Sequence, residues 1–312
     1  MCCLFGMLDL EHRFTGKQRA RVLRILATAS EARGTDATGI AYNSGGKLHV
    51  FKRPLPAHRV RFHIPEDALA IMGHTRMTTQ GDARRNYNNH PFQARAGNQS
   101  FALAHNGVLY NDGLLQTTQK LPRTNIETDS FVAVQLLQQQ GALTFDSLKY
   151  MAEQVEGSFS FTVLDDQNSL YFVKGDNPLC IYHYPETGVY LYASTEEILT
   201  AALLRIPFHL GKAIPVKVMC GELLKIDARG NQSRSEFDTI NLVQRWCYPR
   251  SFWYDPAPRP YTSEKSDASE EYLRELKSVA AFYGFSPGYV DSLLADGFTT
   301  DDVEEMLYAG EL

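Results

Sequence analysis

Short β-rich runs, each closed by turn residues, fill the first 240 positions of this chain, and helical periodicity interrupts them only in groups. The runs lie at residues 38–42, 48–52, 68–75, 101–105, 158–164, 170–174, 188–193 and 221–226. Asn43-Ser44-Gly45-Gly46 and Asp166-Gln167-Asn168 read as tight turns between neighbouring strands. Apolar residues recur at helical spacing over 17–32, which stops before Gly34, over 128–140 and 143–155, and briefly over 195–204. A parallel doubly wound sheet needs a crossover helix after almost every strand. Grouped helices instead predict an α+β fold.

The second residue carries the most chemical information. Cys2 follows Met1 directly, and a side chain this small permits removal of the methionine. The new terminus would hold a thiol and a free α-amine on one residue. An α-amine has a pKa of roughly 7.7–8.0, far nearer neutrality than a lysine. It can take the proton of the neighbouring thiol without help from a histidine. The competing reading is an ordinary, partly buried cysteine.

With 312 residues, 44% of them hydrophobic, the chain can bury a large core as one domain or two. No apolar run approaches the ~20 residues needed to span a membrane, and Asp9, Glu11, His12 and Arg13 break up any secretory h-region. Five cysteines without a Cys-x-x-Cys pair argue against a disulfide framework or zinc site, so Cys180, Cys220 and Cys247 read as core or surface thiols. The expected compartment is the reducing cytoplasm. A net charge of −5 offers no electrostatic footprint for nucleic acid. There is no P-loop and no dinucleotide fingerprint, and no cofactor is expected.

Three regions are expected. Residues 2–240 form the body. Residues 241–264, with Trp246, Tyr248, Phe252, Trp253 and Tyr254 followed by Pro256, Pro258 and Pro260, read as an extended arm and linker, either packed on the body or docking another protein. Residues 265–312 hold eleven acidic residues against three basic ones and read as a small module of three helices, at 269–283, 287–294 and 300–307.

Four segments of the body combine chemistry-bearing residues: Cys2 itself; Arg33-Gly34-Thr35-Asp36-Ala37-Thr38-Gly39-Ile40; Gly73-His74-Thr75-Arg76-Met77-Thr78-Thr79-Gln80-Gly81, leading to Asn89-His90-Pro91-Phe92; and Ala104-His105-Asn106-Gly107 with Glu127-Thr128-Asp129-Ser130. Singly, each has a plain explanation. Asn106-Gly107 is a strong β-turn dipeptide, Thr128-Asp129 can cap a helix, and Arg76 can sit in a surface ion pair. Together and in this order they resemble the glutaminase domain of class II glutamine amidotransferases. These N-terminal-nucleophile hydrolases stand at the front of glucosamine-6-phosphate synthase and glutamine phosphoribosylpyrophosphate amidotransferase. The family pattern runs Met-Cys-Gly-Ile, Arg-Gly-x-Asp, Gly-His-Thr-Arg, His-Asn-Gly and Thr-Asp, and the resemblance covers roughly residues 2–240.

The resemblance implies a four-layer αββα sandwich of two antiparallel sheets, with Cys2 at the end of a central strand. It implies that Cys2 Sγ attacks the glutamine amide carbon, with Asn106 and the Gly107 N–H as the oxyanion hole. Arg76 would hold the substrate α-carboxylate through its planar fork, Asp129 the α-ammonium, and Thr79 another part of the substrate. Residues 77–86 would close over the bound molecule. Arg33, Asp36 and His74 fall to supporting roles. Several positions depart from the pattern: Cys3 replaces a glycine, and Met77 and Gln80 stand where some relatives carry Trp and His. Phe131 replaces an acidic residue. None of these removes a catalytic group.

The expected reaction is hydrolysis of the glutamine side-chain amide through a γ-glutamyl thioester by a stand-alone domain, with ammonia passing to a separate acceptor enzyme. Two rivals stand beside it: a hydrolase of larger γ-glutamyl amides or peptides using the same groups, and a non-catalytic binding or regulatory protein that kept the fold. The oligomeric state is left open.

Overall fold

The computed structural model describes residues 2–242 and, further on, residues 273, 276, 277, 280, 281, 285–295, 300 and 303. The chain divides into two compact units, residues 1–249 and 250–312. The arm expected at 241–264 lies almost wholly outside the described residues, as does Cys247.

Among the described residues the first unit contains thirteen strands. In chain order they are β1 (Cys3–Asp9), β2 (Ala37–Ser44), β3 (Lys47–Arg53), β4 (Ala70–Arg76), β5 (Phe92–Ala96), β6 (Gln99–Leu109) and β7 (Gly157–Asp165), followed by β8 (Leu170–Lys174), β9 (Cys180–Tyr184), β10 (Val189–Ala193), β11 (Ile214–Pro215), β12 (Glu222–Ile226) and β13 (Gln232–Glu236). They form a seven-stranded sheet, ordered β11-β9-β10-β1-β4-β2-β3, and a six-stranded sheet, ordered β13-β12-β8-β7-β6-β5. Every pairing is antiparallel.

Three apolar cores account for four layers. One lies between the sheets, where Leu4, Leu8, Ala70 and Met72 meet Ala102, Ala104, Leu164 and Phe172. A second joins Phe5, Met7 and Ile71 of the first sheet to α1 (Gly16–Ala29) and α5 (Glu196–Leu203) through Val22, Leu23, Leu26, Ile198 and Leu199. The third joins Phe101, Phe159 and Phe161 to α3 (Phe131–Gln140) and α4 (Phe145–Gln154). Alternation along β1 divides its side chains, with odd-numbered residues facing the helices and Leu4 and Leu8 facing the opposite sheet. The αββα sandwich expected from the resemblance is present.

Local chemistry explains the ends of these elements. Thr15 caps α1 in a reciprocal pair with Gln18, and Thr144 does the same for α4 with Ser147. Arg19, on the buried face of α1, donates to Asp9 at 2.8 Å, tying the helix to the end of β1. Gly45 and Gly46, at φ 57° and 72°, make the β2–β3 hairpin turn. A further short helix, α2 (Asp112–Thr118), was not foreseen, nor were β5, β9, β11 and β13.

The second unit holds α6 (Pro287–Ala295) and a small core of Leu276, Ala280, Val290, Leu293 and Val303. The described residues in 269–283 and 300–307 are helical, and Lys277 pairs with Asp291 at 2.6 Å.

Candidate active site

Strand register brings the first two segments together. In the β1–β4 ladder Leu4 faces His74 and Cys3 faces Thr75, so Cys2 falls beside Arg76 at the end of the pair. On β4, Ala70 and Met72 point between the sheets, and alternation turns His74 and Arg76 the same way. On β6, Ala102 and Ala104 point into that same layer, and Asn106 follows them. Parity alone thus gathers Cys2, His74, Arg76 and Asn106 at one end of the inter-sheet space. Cys2, Arg76, Met77, Thr79, Gln80, His90, His105, Gly107, Thr128, Asp129 and Ser130 line one cleft of about 240 Å3, including its opening to solvent.

Cys2 is held from behind. Its carbonyl accepts from Arg33 Nε at 3.1 Å, and its thiol donates to the Met77 carbonyl at 3.4 Å. Burial pushes the thiol pKa up, while the Met77 hydrogen bond and the charge of Arg76 act in the other direction. Asp36 shapes the chain leaving β4: its N–H donates to the Arg76 carbonyl at 2.9 Å, and its carboxylate accepts from the Thr78 N–H at 2.8 Å. Gly34 lies so close to the Arg76–Met77 peptide that a Cβ would stand 2.5 Å from the Arg76 carbonyl carbon. Arg33 and Asp36 thus bond to the backbone of Cys2, Arg76 and Thr78 and do not line the cleft.

Arg76 is 2% exposed and, among the described residues, forms no ion pair. Nη1 donates to Asn89 Oδ1 at 2.7 Å, and Nη2 to the carbonyls of Gln80 and Gly81 at 2.6 and 3.1 Å. The loop after β4 thus turns back and fixes its own arginine. Thr79 and Gln80 lie exposed on the rim, with Gln80 Nε2 donating to Asp112 at 3.2 Å.

Asn106 and Gly107 are not a turn. Both lie inside β6, paired with Ser160 and Phe159 of β7. Asn106 is fully buried, and among the described residues neither atom of its side-chain amide has a hydrogen-bond partner. Gly107 has φ 143°, and a Cβ there would run into the Ser158 carbonyl, so only glycine fits this strand position. Asp129 does not cap α3, which begins at Phe131 behind Ser130 without a side-chain cap. Instead its carboxylate accepts from the Leu109 N–H at 2.6 Å and from Ser130 Oγ at 3.2 Å. Those bonds orient a 3%-exposed anion into the cleft.

Three buried histidines back the cleft. His74 Nε2 lies 2.9 Å from the His105 carbonyl, joining β4 to β6 across the two sheets. Burial carries the His74 pKa down to about 3 and that of His90 well below its ordinary value. His90 packs tilted against His74 and edge-on against Phe92, and among the described residues its ring nitrogens have no partner. His105 Nδ1 lies 2.8 Å from Ser130 Oγ. Sequence reasoning noticed His90 and His105 but gave them no place in the site. The motif Asn89-His90-Pro91 was the available signal. Lys52 was missed altogether. It reaches the Asn89 carbonyl at 2.5 Å and is pushed by burial to a pKa of about 8. Among the described residues no group of three or more His, Cys, Asp or Glu is placed to hold a metal ion.

Two antiparallel sheets between helical layers, with a cysteine at the start of a central strand, define an N-terminal-nucleophile hydrolase fold. Glutamine phosphoribosylpyrophosphate amidotransferase of B. subtilis shares it, with a TM-score of 0.60 at 22% identity over 76% of this chain and 49% of that one. Residues 74–201 match the family model described as a glutamine amidotransferase domain. Glutamine–fructose-6-phosphate aminotransferase (isomerizing) of Staphylococcus epidermidis is 34% identical over 161 residues, 48% of this chain and 26% of that protein. Its counterpart in Bacillus thuringiensis subsp. konkukian is 30% identical over 190 residues, 58% of this chain and 30% of that protein. The chain thus spans between a quarter and a third of the length of these curated relatives. Over residues 74–201 the chain is thus similar to glutamine amidotransferase domains.

Proposed function

We propose that this domain hydrolyses the side-chain amide of glutamine to glutamate and ammonia, with Cys2 as nucleophile once Met1 is removed. The α-amine of Cys2 takes the thiol proton, and Sγ adds to the amide carbon. The resulting oxyanion is met by Asn106 Nδ2 and the Gly107 N–H. Collapse breaks the carbon–nitrogen bond, the ammonium returns its proton to the departing ammonia, and a γ-glutamyl thioester remains. Water then attacks the thioester and restores the thiol. Arg76 binds the α-carboxylate with the N–H groups its loop leaves available, Asp129 the α-ammonium, and Thr79 contacts the substrate at the rim.

The observation that carries this reading is Asn106. An amide fully buried with both polar atoms unpartnered costs about 1–3 kcal/mol per group. Such a cost fits a donor held ready for charge that appears only in the transition state. Its place in the inter-sheet space beside the cleft that Cys2 and Gly107 line supports the same role.

The test pairs intact-mass analysis of the mature N-terminus with ammonia release from glutamine by the native protein and by Cys2→Ala. Native protein beginning at Cys2 should release ammonia and the variant should not. Active material that retains Met1, or a Cys2→Ala variant of undiminished activity, would sink the mechanism. The latter result would also favour a binding protein that kept the fold. Arg76 and Asp129 would grip the head of a larger γ-glutamyl amide equally well, so turnover on γ-glutamyl peptides belongs in the same assay. The names of the relatives, an aminotransferase and an amidotransferase, support the further proposal that the ammonia serves an acceptor reaction.

A further inference from the structure

Residues 77–89 leave β4, pass the rim of the cleft and return through a 3-10 turn at Asn86–Asn88. Within this loop the Gln80 and Gly81 carbonyls and the Asn89 side chain hold the Arg76 fork. What holds the loop lies on another segment. Glu127 Oε2 accepts from Asn88 Nδ2 at 2.8 Å and from the Asp82 N–H at 3.4 Å, and Glu127 Oε1 accepts from Arg85 Nη1 at 2.5 Å. The Glu127 N–H donates in turn to Asn88 Oδ1 at 2.9 Å. A Cβ on Gly81 would stand 3.0 Å from Glu127 Cβ, so the loop lies flat against this residue. Two residues further on comes Asp129.

We infer that Glu127 is a positioning residue that latches the substrate loop, setting the Arg76 guanidinium against the Asp129 carboxylate so that one closure fixes both ends of an amino-acid head. This inference rests on the hydrolysis proposed above. The latch works chiefly through Asn88. Arg85 and Glu127 have side chains 54% and 40% exposed, and ion pairs so open to water contribute little. The two-way bond between Asn88 and Glu127 leaves both groups partnered and fixes the spacing of the two segments. Asn88 itself is fully buried.

The test reads the loop and the kinetics separately. Arg84 and Arg85 give trypsin two cleavage points inside the loop. Glu127→Ala is expected to speed nicking there at least tenfold and to raise KM for glutamine at least tenfold, with kcat falling less than threefold. Glu127→Gln keeps an acceptor for Asn88 and should restore both readouts to within threefold of the native protein. Asn88→Ala should behave as Glu127→Ala does. Equal nicking and equal KM in Glu127→Ala would overturn the latch, as would a loss confined to kcat. If the native protein released no ammonia, the hydrolysis reading would fall, and the nicking rates of the two Glu127 variants alone would decide the latch. Faster nicking in Glu127→Ala restored by Glu127→Gln supports it, and equal nicking in both overturns it.

Discussion

Asn106 and Arg76 do different work in the proposed reaction, and substitution should separate them. Asn106→Ala removes a donor used only as charge develops, so kcat should fall on the order of 10²–10³-fold while KM moves little. Arg76→Lys keeps the charge but loses the planar fork that Asn89 and the Gln80 and Gly81 carbonyls orient. Its main effect should be a KM raised at least tenfold, and steady-state ammonia release measures both. The proposed base sets a pH signature as well. An α-amine that must be unprotonated to act should make kcat/KM fall as pH drops below roughly 7.7–8.0. A profile flat from pH 6 to 9 would count against that amine.

His74 shows what the strands ask of a polar side chain between two sheets. It is 1% exposed, bonds the His105 carbonyl, and is held neutral with a pKa of about 3 against an ordinary 6.5. Above pH 6.5 neither the folded nor the unfolded protein carries this charge. Between 6.5 and about 3 the unfolded chain takes up a proton that the fold refuses, so stability must fall as pH falls. His74 alone should cost about 2 kcal/mol between pH 7 and pH 5. Urea unfolding at the two pH values checks this, and His74→Gln should reduce the dependence by that amount while His90 and His105 keep their shares. The α1–β1 junction offers a second measurement. Arg19→Ala strands the buried Asp9 carboxylate and should destabilise the protein by about 3–5 kcal/mol in the same assay.

The fold was legible where patterning was strong. Grouped helices and alternating runs indicated α+β, and β1, β4 and β6 lay where the motifs fell. The short edge strands β11 and β13 escaped because an exposed pairing such as Gln232–Glu236 carries no apolar alternation. Asn106-Gly107 shows a local signal overridden by its surroundings, since a favoured turn dipeptide is pinned inside β6 by pairing on β7. The motifs named the residues that line or back the cleft. The contacts of Glu127 and Lys52 stayed hidden because they cross more than thirty residues of chain. We also propose that residues 265–312 form an independent helical module. Expressed alone, that segment should show helical far-UV circular dichroism and a cooperative melt, and a random-coil spectrum would refute it.

The extended start of β1 also has a redox consequence. Successive side chains there leave opposite faces, so Cys3 is buried among the side chains under α1 while the Cys2 thiol opens on the cleft. The neighbouring sulfur is therefore no resolving thiol. Were peroxide to convert Cys2 to a sulfenic acid, recovery would depend on a small thiol entering from solution, and glutathione should restore activity where the protein alone does not.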